Sequence, residues 1–134
     1  MANSGKLDSY ELLNETIFAS PSLHKDVLYL STWDGEVIAF DYRKKEVKWK
    51  EKISSSPLGS TPAISQNNKI YLGSFFWSSY GSYKIDDSKV IYEVDSNTGN
   101  LDWSYDLDTS LVLNSTGYIY DVASSPIITD NGHI

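Results

Sequence analysis

Apolar and polar residues alternate along most of the chain in runs of six to eight, and the runs are broken by Gly, Asn, Asp, Ser and Pro. Every second side chain of a strand reaches the same face, so this period predicts half-buried β-strands. No stretch of a dozen residues keeps the three-and-four spacing of an amphipathic helix. Strands are predicted at 16–23, 27–32, 36–41, 46–53, 60–65, 69–75, 90–95, 100–107, 117–122 and 124–129. Asp34-Gly35 predicts a tight hairpin and Asn67-Asn68 a polar turn, while Asn97-Thr98-Gly99 supplies a residue that tolerates positive φ. The pattern is all-β and antiparallel.

The strands also repeat. Ser20-Pro21 answers to Thr61-Pro62, Tyr29-Leu30-Ser31 to Tyr71-Leu72-Gly73, Asp41 to Asp95 and Trp49 to Trp103, with eight residues from Asp to Trp in both copies. A third copy opens at Ser124-Ser125-Pro126. Four short antiparallel strands in about 40–50 residues form one blade of a β-propeller, a sheet that hides its faces by stacking on its neighbours. The expected layout is a partial ring. Blade one spans 16–53, blade two spans 60–107 with an inserted loop at 75–89, a linker loop runs from 108 to 122, and the start of blade three covers 123–134.

The segments YLSTWDGEVIAFD and YEVDSNTGNLDW join a strand and turn to Asp-x-x-x-Gly and Trp. In this they resemble the PQQ-type repeat of quinoprotein dehydrogenases and of their cofactor-free, BamB-like relatives, over roughly residues 17 to 134. The first copy departs from the pattern with Arg43-Lys44-Lys45-Glu46, and the second has lost the Asp34-Gly35 turn to its insertion. The resemblance implies an extracytoplasmic location. For the enzymes it implies a quinone held with calcium, an Asp base and a disulfide of adjacent cysteines. None of that constellation can be matched here, and the chain has no cysteine.

The repeat tryptophans Trp49 and Trp103 are expected to pack between blades, because a large rigid ring at a fixed repeat position locks a stack. The insertions are the candidate sites. Antiparallel succession places 75–89 and 108–122 on one face, and loops on a rigid scaffold are where binding concentrates. Phe75, Phe76, Trp77, Tyr80 and Tyr83 crowd the first loop among Ser and Gly, which suits contact with a partner chain or a sugar ring. The same rings could instead cover one another, and both readings stand open. Asp86-Asp87 reads as solvated surface. DSNTGN (95–100) starts like a calcium loop but lacks its Gly and Glu, so no metal site is expected there.

Charge refines this picture. Of the net −7, residues 1–85 carry ten positive and nine negative side chains, and residues 86–134 carry one positive and nine negative. An acidic chain does not suit nucleic acid, which needs clustered unpaired Lys and Arg. Lys48, Lys50 and Lys52 alternate along an outer strand and are expected to share one face, protecting that edge from pairing. No run approaches a membrane span, and the amino-terminal residues lack a basic-then-apolar signal pattern. His24 and His133 have no Ser or Asp arrangement near them in sequence, so no catalytic residue is expected. Asn14-Glu15-Thr16 and Asn114-Ser115-Thr116 match the glycosylation triplet, which matters only in an exported protein.

The expected function is that of a non-catalytic binding or assembly scaffold without a cofactor, making partner contacts through the two loops. The alternatives are part of a PQQ-dependent dehydrogenase or a carbohydrate-binding propeller. Two copies and a fragment fall short of the four to eight blades of a closed ring. Either a longer propeller or self-association through blade faces and edges is therefore expected.

Overall fold

A computed structural model of the chain describes residues 13–74, 89–106 and 125–129. Among these residues eight strands form two four-stranded antiparallel sheets. Blade one runs β1 (Ser22–His24), β2 (Val27–Ser31), β3 (Glu36–Asp41) and β4 (Glu46–Lys52). Blade two runs β5 (Ala63–Ile64), β6 (Lys69–Gly73), β7 (Lys89–Asp95) and β8 (Leu101–Asp106). Neighbours in sequence are neighbours in each sheet. Blade two therefore repeats blade one as a simple meander.

The innermost strands are shorter than the alternation predicts. Pro21 and Pro62 lack the N–H a ladder needs, so pairing begins only after them, at Ser22 and Ala63. Before each proline a single bridge remains, Ile17–Thr32 in blade one and Leu58–Ser74 in blade two. Residues 125–129, expected as a strand, form none. An innermost strand pairs only with the next strand of its own blade, and no such partner lies among the described residues. The strand expected at 117–122 lies outside them.

Turns follow their residue chemistry. Gly35 takes φ +81° in the β2–β3 hairpin, where the Thr32 amide donates to the Glu36 carbonyl at 3.0 Å. Asn68 takes φ 60° in the β5–β6 turn, where the Ser65 amide donates to the Lys69 carbonyl at 2.8 Å. Asn enters the left-handed region more readily than most residues, which is why it stands there.

The core lies between the sheets. Val27, Tyr29, Val37 and Ala39 of blade one meet Ile70, Leu72, Tyr92 and Val94 of blade two, with Trp49, Ile53 and Ile64 packed at the margin. Leu58, in the link between blades, is fully buried in the same cluster, and its amide donates to the Thr32 carbonyl at 3.0 Å. One linker residue thus fixes blade two against blade one by both apolar burial and a backbone bond.

Both blades carry a register shift at the same place, after Ala39 and after Glu93, which leaves Lys48 and Asp102 without a register partner. The even alternation expected for the lysines of β4 therefore breaks at Lys48. Lys50 opposite Ile38 and Lys52 opposite Glu36 keep it.

Candidate functional site

Antiparallel pairing brings the bases of the two long insertions together. β6 ends at Gly73 and β7 begins at Lys89, and Lys89 is the register partner of Asp106, the last residue of β8. The Ser74 amide donates to the Val90 carbonyl at 3.0 Å, closing the base of the first loop. The first insertion thus leaves and re-enters blade two at the sheet end where the second departs. Phe75, Phe76, Trp77, Tyr80 and Tyr83 lie outside the described residues, as do Asp86, Asp87 and residues 108–122. What the structure defines of this candidate site is its platform.

The platform is anchored by buried polar contacts that alternation alone does not disclose. Ser60, fully buried, places its hydroxyl 2.6 Å from the Gly73 amide, which donates to it, and the Ser31 hydroxyl donates to the Ser60 carbonyl at 2.9 Å. Tyr92 is also fully buried and donates its hydroxyl to Ser54 Oγ at 2.9 Å. These bonds tie the link between blades to the strand end from which the first insertion springs. Each would leave a buried polar atom unpaired if broken.

Trp49 stands where blade one meets the turn of blade two. Its indole N–H donates to the Ser96 carbonyl at 3.1 Å, and the Tyr29 hydroxyl donates to the same oxygen at 3.2 Å. The two rings pack at 6.0 Å, and burial pushes the Tyr29 hydroxyl above its ordinary pKa. Gly99, at φ +81°, lies against the indole: a Cβ there would fall 2.8 Å from Trp49 Cε3 and 2.8 Å from Glu51 Cγ. Glycine is thus required twice over, by the backbone and by the ring. Sequence reading found Gly99 as a turn residue. It missed the indole contact, whose only signal was Gly99 standing where the first copy has Lys45.

Trp103 repeats half of this arrangement. It packs on Tyr71 at 6.4 Å, yet stays 40% exposed, beside exposed Leu101 and Tyr105. Burial raises the Tyr71 hydroxyl pKa, and a hydrogen bond with Glu93 adds to the rise. Lys69 Nζ lies 2.8 Å from Asp102 and 3.3 Å from Asp95, which holds the ammonium above its usual pKa. Among the described residues no three His, Cys, Asp or Glu side chains gather as ligands for a cation. No helix among them is long and apolar enough to cross a membrane.

No protein-family model matches the sequence, and comparison with curated proteins finds no match. Solved structures do resemble it. BamB from Moraxella catarrhalis superposes with a TM-score of 0.52 at 22% identity, over 71% of this chain and 26% of that one. A europium-containing methanol dehydrogenase gives 0.51 at 19% identity, over 65% of this chain and 15% of the other. The quinohemoprotein alcohol dehydrogenase ADHIIG from Pseudomonas putida HK5 gives 0.50 at 17% identity, over 64% and 12%. The chain spans about a quarter or less of each of these proteins. At such identities the likeness speaks for fold alone. Together with the internal repeat, it shows that the two sheets have the fold of adjoining β-propeller blades.

Proposed function

We propose that the chain is a non-catalytic propeller segment that acts as a binding or assembly scaffold, meeting a protein partner through loops 75–89 and 108–122. The observation that supports this reading is the shared platform: Lys89 pairs with Asp106, so both insertions spring from one end of blade two. A sheet from one end of which two long segments depart, one of them rich in Trp, Tyr and Phe, suits recognition. The dehydrogenase neighbours supply the second reading, a catalytic propeller.

The test is site-specific photo-crosslinking in the producing cell, with the reactive group at Trp77, at Tyr80 or, as control, at exposed Asn97 in the turn at the opposite end of blade two. A discrete adduct from the two loop positions and none from position 97 is expected. Absence of adducts at 77 and 80, or equal labelling at 97, would overturn the reading. Carbohydrate recognition through Trp77, Tyr80 and Tyr83 is separated from it by a glycan screen repeated with Trp77→Ala. Titration with the quinone and calcium separates the dehydrogenase reading.

A further inference from the structure

The two blades differ in charge at the sheet end away from the insertions. In blade one the turns that join β1 to β2 and β3 to β4 lie side by side there. The Tyr42 amide donates to the Asp26 carbonyl at 3.2 Å, and Arg43 Nε lies 2.5 Å from Asp26 Oδ1. Together these turns carry Lys25, Arg43, Lys44 and Lys45, all exposed. The matching turns of blade two carry Asn67-Asn68 and Asn97-Thr98-Gly99, without a cation.

Two of these lysines stand where the backbone does not favour them. Lys25 has φ 55° and Lys45 φ 59°, whereas the left-handed positions of the corresponding turns in blade two hold Asn68 at 60° and Gly99 at 81°. Asn and Gly enter that region more readily than a long charged side chain does. Arg43 is held by Asp26, and Lys44 lies 3.7 Å from Glu46. Among the described residues neither the Lys25 nor the Lys45 ammonium has a carboxylate partner. Strained backbone and crowded like charges both oppose folding, and the turns of blade two show that the repeat does without them. A local rule broken twice at one end of one blade points to recognition there.

We propose that this end of blade one is a docking surface for an acidic segment of a partner protein, whose carboxylates pair with Lys25 and Lys45 and meet Arg43 and Lys44 beside them. The charge of the whole chain selects this occupant. At −7 overall, the molecule repels a membrane or a nucleic acid, whose negative charge extends well past two turns. A few carboxylates on an extended segment fit within the roughly 8–10 Å over which such a patch acts at moderate salt. The surface lies at the other end of blade one from the sheet end at which the insertions of blade two begin, so it stands or falls independently of the contact proposed there.

The test is fluorescence anisotropy of the full chain with a labelled peptide of alternating glutamate and serine. Saturable binding that weakens with added salt is expected, and the same peptide with glutamine for glutamate should not bind. Lys25→Asn with Lys45→Gly introduces the residues that blade two uses at these positions. This variant is expected to keep the parent's denaturation midpoint and to bind the peptide about three- to tenfold more weakly. Lys52→Gln removes an exposed cation at the opposite end of blade one and should bind as the parent does. The proposal would be overturned by absence of binding, by unchanged binding in the double variant, or by equal weakening with Lys52→Gln. Capture of the chain by vesicles of phosphatidylglycerol and phosphatidylcholine where the peptide does not bind would overturn it in favour of a membrane.

Discussion

In the turn after β3, Asp41 Oδ1 accepts the amide hydrogens of Arg43 and Lys44 at 3.1 and 2.9 Å. In the turn after β7, Asp95 Oδ1 accepts those of Asn97 and Thr98 at 2.9 and 3.1 Å. Both turns then place their fifth residue at positive φ, 59° for Lys45 and 81° for Gly99. Local chemistry is thus the same. What differs is the neighbour: Gly99 sits under the indole of Trp49, and Lys45 is exposed. The contrast separates two reasons for a repeat residue. Asp is kept because the turn needs a cap wherever it stands, and Gly only where another blade presses on it.

The same contrast extends to the residues that bridge before each proline, and there the largest effect is expected. Leu58 is fully buried between blades, whereas Ile17 at the matching position is 38% exposed. Leu58→Ala is expected to cost about 3 kcal/mol, since the void lies in the shared core and neither sheet can collapse into it freely. Ile17→Ala should cost no more than about 0.5–1 kcal/mol, the lower end of ordinary single-mutant losses. Denaturant midpoints at constant m-value measure both, and equal losses would show that the two positions are packed alike.

Gly99→Ala comes next, at about 2 kcal/mol, because strained backbone and a 2.8 Å approach to the indole act together. Lys45→Gly on its own should change stability by no more than about 0.5 kcal/mol, as relief at positive φ offsets the added freedom of glycine in the unfolded chain. Smaller than the Gly99 effect is that of Trp49→Phe, which keeps a ring but leaves the Ser96 carbonyl with the Tyr29 hydroxyl alone of its two side-chain donors. About 1 kcal/mol is expected, the net worth of one hydrogen bond. Trp103→Phe should cost nearly nothing, and a loss as large as that at Trp49 would show that Trp103 is already covered.

How far the sequence could be read follows from these residues. Alternation and turn chemistry place β2, β3, β4, β6, β7 and β8 to within a residue or two, and Gly35, Asn68 and Gly99 stand where φ is positive, although Lys25 and Lys45 take positive φ as well. The bulges at Lys48 and Asp102 were illegible, since a bulge adds a residue without altering composition. The prolines at 21 and 62 stand in plain view, yet only pairing shows that the ladder begins after them. The buried hydroxyls of Ser31, Ser54 and Ser60 read as turn-like polar residues, and only the second blade turns them into core contacts. Of the candidate site, the common origin of the two loops was legible from strand succession, and the register pair Lys89–Asp106 expresses it.

The predicted effect at the cap in blade two carries a sign. The Asn97 amide above all holds the Asp95 carboxyl below the usual carboxylate range; burial opposes it, and the Thr98 amide and the Lys69 ammonium add to the lowering. Blade one has Val27 at the place of Lys69, so only the turn of blade two has an ammonium beside its cap. With the folded pKa below the unfolded one, the stabilisation is complete above the unfolded value and is lost as pH falls through the folded value. Asp95→Asn keeps an acceptor for the two amides but removes the titration. The variant should therefore be less stable than the parent near neutrality and approach it as the solution is acidified. Parallel midpoints across that range would show that the turn gains nothing from the charge. A gap that narrows equally in Lys69→Met would assign the shift to the backbone amides alone.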